Sequence, residues 1–440
     1  MNTFTDSEWG NGKEDPQLFN PIKFDALQWA AAIESAGMKG LILTCKHHDG
    51  FCLWPSKYTE HSVKSSPYKG GKGDIVREVA DACKKYNLKF GVYLSPWDMN
   101  NSSYGYGEKY DDYFVNQLTE LLTQYGEVFS VWFDGACGEG ENGKKQFYDW
   151  DRYYSVIREL QPNACINVCG PDIRWCGNEA GHTRPSEWNV VPKRTMDTEK
   201  IAESSQQQDN EEFRNRQVHA WDSDLGSREI LANEDELTWY PAEVNTSIRP
   251  GWFYHKHEDD KVRPLDELIN IYNNSVGGNA TFLLNIPPTP DGLFHENDVK
   301  RLSEIGEYLR NTYKNNLLQS AKLSADSVEN GYEVDNVRND DYSAYYRPQG
   351  NKNKVSITAQ WDNAVRINSI IIKENILLSQ RVERFTITDE DDKVLYEGTV
   401  IGHKRIVNIP NTKTKRITLN INDSRVFPAI SFLGIYGTAD

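Results

Sequence analysis

The apolar run Val128-Phe129-Ser130-Val131-Trp132-Phe133 is followed at once by Asp134 and Gly135. A run this short has the length of a strand. With so little alternation, it reads as one covered on both faces, the arrangement of parallel sheets flanked by helices. Asp134 then falls at the C-terminal end of the strand. In parallel α/β folds that end carries reacting groups, because the loops leaving it converge on one crevice or barrel mouth. An aspartate at this point equally suits a turn, where its carboxylate accepts local backbone N–H groups. The pentapeptide alone does not separate the two roles.

The rest of the chain repeats the pattern. Residues 1 to 24, rich in Gly, Asn, Asp and Pro, predict a loop containing Glu8 and Trp9. Helical spacing over Phe24 to Ala36, closed by Gly37, precedes the apolar strand Gly40 to Cys45 and then Lys46-His47-His48-Asp49-Gly50-Phe51. A helix over Asp74 to Tyr86 leads to a strand over Lys89 to Leu94, which Ser95-Pro96-Trp97-Asp98 leaves. Helices are predicted over 108 to 125, Phe147 to Leu160, Leu265 to Val276 and Asn297 to Tyr313. Strands are predicted over Ala164 to Val168, Trp188 to Val191, Gly251 to Tyr254 and Thr281 to Ile286. The charged, Gln-rich stretch Glu199 to Gln217 predicts a loop. About seven β/α units favour a (β/α) TIM-like barrel over an open doubly wound sheet, and no glycine-rich phosphate loop supports the latter. From Ala321 onward, period-two runs such as Lys354 to Thr358, Ile367 to Ile372 and Arg416 to Ile421 indicate an all-β sandwich. The expected domains are residues 1–317, the barrel, and 318–440, the sandwich.

A formal charge of -16 argues against a nucleic-acid partner, which needs a clustered basic surface. No stretch approaches the roughly 20 apolar residues of a membrane helix, so membrane insertion is not expected. The 12 Trp and 23 Tyr often lie beside carboxylates, His or Gly. That mixture suits sugar rings, whose C–H patches stack while their hydroxyls hydrogen-bond, and core packing explains many of the same residues. All seven Cys precede residue 180 without metal-finger spacing, and most are expected as buried thiols.

On the barrel reading, three strand ends bring His47, His48 and Asp49, then Tyr93 and Trp97, then Trp132 and Asp134, to one mouth. The blocks Lys46 to Phe51 with Trp54-Pro55-Ser56, Gly91 to Trp97 and Trp132-Phe133-Asp134-Gly135 closely resemble the α-L-fucosidases of glycoside hydrolase family 29. The resemblance spans roughly residues 1 to 315. Asn178-Glu179-Ala180-Gly181 and Ser186-Glu187-Trp188 resemble the branch selective for α-1,3 and α-1,4 fucosyl linkages on branched, Lewis-type glycans. The resemblance implies a retaining exo-α-L-fucosidase that uses no cofactor and no metal. Its partner would be a fucosylated oligosaccharide or glycoconjugate, and its oligomeric state is left open. A retaining glycosidase needs two carboxyls about 5 to 5.5 Å apart. Asp134 matches the family's nucleophile and Glu179, 45 residues on, its acid/base, with Glu187 as the competitor. A working acid needs a raised pKa before attack, set by burial and the nucleophile's charge. His47 and His48 match the paired histidines that hold fucose hydroxyls, Glu8 and Trp9 a sugar-binding loop pair, and Tyr93 and Trp132 a hydroxyl and an aromatic wall. Trp252 and His255 suit either the mouth or barrel packing, and Trp175 is a candidate contact to the rest of the glycan.

Family members carry a first barrel strand, with another sugar-binding His, before the segment matching Asn2-Thr3-Phe4. The sequence here opens where that strand would end, so it is expected to lack strand one, with two exposed sheet edges and weakened or absent activity. No basic and apolar leader precedes the barrel, and the family implies secretion or a periplasmic location if an upstream segment carries a signal. Two other functions fit the residues: a metal-dependent hydrolase using His47, His48 and Asp49 or Asp134, and a carbohydrate-binding protein without catalysis. The sandwich resembles galactose-binding-like modules; a buttress role suits it at least as well.

Overall fold

The computed structural model describes residues 1–181, 184–199, 201 and 224–439. Almost all of the Gln-rich stretch Glu199 to Gln217 lies outside them. After a single helical turn, Asn2–Thr5, the first half of the chain alternates helix and strand: α1 (Ala26–Ser35), β1 (Gly40–Lys46), α2 (Ile75–Lys85), β2 (Lys89–Leu94), α3 (Glu108–Gln124), β3 (Ser130–Phe133), α4 (Trp150–Leu160) and β4 (Cys165–Val168). Aspartates start three of the helices by accepting a backbone N–H in the first turn: Asp25 from Leu27, Asp74 from Arg77 and Asp149 from Arg152. Strands β1 to β4 form a parallel sheet in sequence order. Its register sets Thr44, Tyr93, Trp132 and Asn167 side by side.

A second parallel arc is built from β5 (Arg174–Trp175), β8 (Ala242–Ser247) and β9 (Thr281–Asn285). A parallel bridge between Asn167 and Ile173 joins the arcs. Helix α5 (Leu265–Ser275) precedes β9 and α6 (Glu296–Thr312) follows it. The result is seven parallel strands flanked by helices. Among the described residues, no strand pairs with the outer edges of β1 and β9, and the ring is not closed there. A cavity of about 1000 Å³ runs from the strand C-terminal ends to this open side, where Leu41, Leu43, Phe282 and Leu284 line it.

Two strand expectations are corrected. Trp188 to Val191 does not enter the parallel ring: β6 (Val190–Pro192) pairs antiparallel with β7 (Leu237–Trp239) in a separate ribbon. Gly251 to Tyr254 is an irregular loop, and the strand lies before it, at β8. Glu243, Asn245, Thr246 and Ser247 are all buried on β8. Their polarity hid the strand from a search for apolar runs.

Beyond Leu317 the chain turns antiparallel, with a hydrophobic core of its own that includes Trp361, Phe385 and Ile435. The sheet order is β10 (Lys322–Ala325), β11 (Val355–Glu374), β14 (Arg405–Ser424), β12 (Val382–Thr388) and β13 (Val394–Gly398), with β15 (Ile430–Ala439) on the second half of β11. Register breaks between Gln360 and Val365 and between Ile367 and Ser369 let one 20-residue strand pair with β10 early and β15 late. The predicted runs Lys354 to Thr358 and Ile367 to Ile372 are therefore two parts of one irregular strand. All seven cysteines are free thiols, and only Cys165 is exposed. No helix of the described residues is long and apolar enough to cross a membrane.

Candidate active site

Glu8, Trp9, His47, His48, Tyr93, Trp132, Asp134 and Glu179 all line one large cavity at the strand C-terminal ends. The register explains part of this convergence. Tyr93 and Trp132 are direct cross-strand partners and stack with ring centroids 5.3 Å apart. Tyr93 then reaches past the strand end, and its hydroxyl donates to Asp134 Oδ2 at 2.6 Å. The Ala136 N–H donates to Asp134 Oδ1 at 2.8 Å. One donor on each oxygen fixes the carboxylate plane. Burial and the neighbouring Asp134 charge push the Tyr93 phenol well above its ordinary range, so it stays a proton donor.

At the end of β1, Lys46 turns away from the cavity and is fully buried, its Nζ within 2.9 Å of Asp98 Oδ2 and 3.0 Å of Gln117 Oε1. That pair anchors the loop that follows. His48 lies with Nδ1 2.6 Å from Ser95 Oγ and Nε2 3.8 Å from Asp134 Oδ2. Trp9 stacks over His48 at 5.3 Å, and Trp97 packs on it at 5.0 Å. Burial lowers the pKa of His48, against the pull of Asp134 and Asp49. Burial, then the His48 charge, depress His47 well below the ordinary imidazole value. Both rings are thereby neutral near pH 7. Asp49 is turned elsewhere: it caps the Phe51 N–H at 3.0 Å and pairs with the chain's amino group at 2.9 Å. Of the two carboxylates considered as a third metal ligand, it is Asp134 that clusters with the histidines.

Glu179 lies in the loop after β5, where Asn178, fully buried, accepts the Ala180 N–H at 3.0 Å. Its Oε2 accepts the Trp252 indole N–H at 3.1 Å. Trp252 is held in turn by Glu8, whose carboxylate accepts the backbone N–H groups of Trp252 (2.9 Å) and Phe253 (3.1 Å) and contacts His255 Nε2 at 2.8 Å. Asp6 contacts His255 Nδ1 at 2.6 Å. Burial opposes charge on His255, but the two carboxylates prevail and raise its pKa. Glu187 is placed quite differently. It is fully buried, bonded to Arg174 and 3.5 Å from Arg184, away from the cavity lining.

Glu243 has no counterpart among the residues singled out from sequence. It is buried on β8, accepting from Trp132 Nε1 at 2.7 Å and Asn167 Nδ2 at 2.8 Å. Burial drives its pKa up to about 7, against those two donors. Trp175 also faces the cavity, its indole donating to Asn245 at 2.9 Å. The sequence signal for Glu243 was the alternation Glu243-Val244-Asn245 on an interior strand.

Comparison with known proteins places this geometry. A family model described as alpha-L-fucosidase matches residues 5–314. The chain is 39% identical over 447 residues to Alpha-L-fucosidase 1 of Arabidopsis thaliana, covering 99% of this chain and 83% of that protein. Its fold superposes on a glycoside hydrolase 29 family member from an unknown rumen bacterium with TM-score 0.80 at 37% identity, over 100% of this chain and 74% of that one. It also superposes on a Ruminococcus gnavus GH29 fucosidase in complex with fucose, with TM-score 0.84 at 28% identity, over 100% of this chain and 91% of that one.

Proposed function

Since the chain belongs to the α-L-fucosidase family of glycoside hydrolases, family 29, we propose that it releases α-1,3/1,4-linked fucose from branched, Lewis-type glycans by a retaining double displacement. The observation that carries the reading is one cavity lined by two carboxylates with contrasting partners, Asp134 braced by two donors and Glu179 touched by an indole N–H.

In the first step Asp134 attacks the anomeric carbon and the glycosidic C–O bond breaks. Glu179 gives its proton to the leaving oxygen. In the second, Glu179 takes a proton from water, whose oxygen attacks the same carbon and frees the Asp134 carboxylate. His47, His48 and Trp9 would receive the sugar, the neutral imidazoles accepting from or donating to hydroxyls, with the Tyr93–Trp132 stack as the far wall. The scheme uses no metal. Glu187 suits a structural role, since its charge is spent on Arg174 and Arg184.

We place the catalytic unit at residues 1–317 and the β-sandwich at 318–440, and read the latter as a buttress. Gln380 accepts the Asn189 N–H and donates to the Glu187 carbonyl, both at 3.0 Å, and Arg425 lies 3.7 Å over the Trp188 ring. These contacts brace the segment that follows the Glu179 loop.

The test is turnover of an aryl α-L-fucoside and of a Lewis trisaccharide. Asp134→Ala abolishes both, azide partly restores Asp134→Gly and Glu179→Ala, and the trisaccharide is the better substrate. Undiminished activity in Asp134→Ala would sink the assignment, and preference for the aryl fucoside would remove the linkage claim alone.

A further inference from the structure

We propose that His47, His48 and Asp134 also form a binding site for a borderline divalent cation, with Zn²⁺ as the type case, and that the ion inhibits by taking the place of the sugar. The inhibition half rests on the fucosidase reading; the binding half does not.

The three side chains offer ligand atoms that all lie within 4.8 Å of one another. Two imidazoles and a carboxylate are the donor set that Zn²⁺ takes in three-ligand sites with an open fourth position. Hydrogen bonding fixes the tautomer of His48. The Ser95 hydroxyl donates to the Trp97 carbonyl at 2.7 Å, so its oxygen can only accept from His48 Nδ1, 2.6 Å away. The proton is therefore on Nδ1, and Nε2 presents a bare lone pair to Asp134 Oδ2 at 3.8 Å. Two acceptors facing one another across that distance call for something electropositive between them. In the reaction a sugar hydroxyl supplies it, and a cation meets the same demand. His47 adds a second unsatisfied acceptor or donor, since its Nδ1 is buried and has no hydrogen-bond partner.

The surroundings are those of a supported ligand set. Ser95 orients His48 from behind, and the Tyr93 hydroxyl orients Asp134 at 2.6 Å, as outer partners do for metal-bound imidazole and carboxylate. Ligand bonds near 2.0 to 2.2 Å require donors about 3.3 Å apart, so the widest pair must close by about 1.5 Å. Side-chain torsions supply that movement. The fourth position faces the cavity, where the sugar would sit.

Isothermal titration of the full chain with ZnCl₂, with and without L-fucose, tests the binding, and steady-state rates with an aryl α-L-fucoside test the inhibition. One Zn²⁺ is expected per chain, displaced by L-fucose, with Co²⁺ giving visible bands of tetrahedral intensity. Zn²⁺ should raise KM and leave kcat unchanged. Ser95→Ala should weaken Zn²⁺ binding by about 10- to 100-fold and His48→Gln, which removes a ligand, by more, whereas Cys165→Ser, removing the exposed thiol, should retain it. Absent binding, binding unaffected by fucose or by both site variants, or loss of the site in Cys165→Ser would overturn the proposal. So would loss of activity on chelation, which would make the ion a cofactor. A chain that binds Zn²⁺ at these residues but turns over no fucoside would refute the fucosidase reading and leave the site standing.

Discussion

Trp252→Phe separates a residue that merely walls the sugar pocket from one that tunes the acid/base. The substitution keeps an aromatic face and removes the indole N–H that donates to Glu179 Oε2 at 3.1 Å. A hydrogen bond to a charged acceptor contributes about 1.5 to 3 kcal/mol. Glu179 is only half-buried, so solvent screening places the effect at the lower end, about 1.5 kcal/mol. The bond favours the carboxylate over the carboxylic acid. Removing it lets Glu179 keep its proton to higher pH. The basic limb of kcat/KM, which reports loss of the acid's proton, should therefore move upward, while the acid limb stays in place. The assay is a pH–rate profile with an aryl α-L-fucoside at low substrate. Glu8→Gln should move the same limb the same way by less, because Glu8 holds the Trp252 and Phe253 backbone rather than Glu179 itself. A raised KM with the basic limb unmoved would show that Trp252 is only a wall, and the coupling from Glu8 through Trp252 to Glu179 would fall with it.

Glu187→Ala should destabilise the fold by about 3 to 5 kcal/mol, because it strands Arg174 and Arg184 without their buried partner. Denaturant unfolding checks this; a stable Glu187→Ala whose activity azide restores would instead make Glu187 the acid/base. Glu243 predicts a pH-dependent stability. Its folded pKa, raised from 4.5 to about 7, means that the native state holds the proton longer than the unfolded chain does, so stability falls as pH rises from 4.5 to 7 and is flat above. The 2.5-unit difference is worth about 3 kcal/mol. Unfolding free energies of the parent and Glu243→Leu, compared across pH 5 to 7.5, should differ in slope by this contribution; parallel curves would refute it.

The parts of the site that were legible in the sequence sit where apolar runs stop. Gly40 to Cys45, Lys89 to Leu94 and Val128 to Phe133 announce buried strands, and residues within the few positions after each, His47 and His48, Trp97, and Asp134, fall at the ring's mouth because strand direction fixes it. Glu243 escaped for the converse reason. An interior strand that carries functional groups along its length loses the apolar signature by which strands are found, and β8 alternates Glu243, Asn245 and Ser247 with small or branched residues. Trp252 was visible as an aromatic beside a glycine, but its partner is decided by Glu8, 244 residues earlier, and no local pattern encodes so distant a contact.

The open side of the ring bears on the chemistry through the cavity itself. One continuous space runs from Asp134 to Leu43 and Leu284, where β1 and β9 each present an unpaired edge among the described residues. A retaining site gains from excluding water, because donors such as Tyr93 act more strongly on Asp134 in a medium of low dielectric. Apolar lining at the open side resists hydration of that space, yet it also leaves partly exposed in β1 and β9 side chains that a closed barrel would bury. The bracing around Asp134 does not depend on that side: Tyr93, Ala136, Trp132 and Glu243 belong to β2, β3, β8 and the turn after β3. His47 and His48 do depend on it, since they directly follow β1, whose outer edge is unpaired among the described residues. Any loosening of the open side should therefore weaken sugar binding through the histidines before it disturbs the nucleophile.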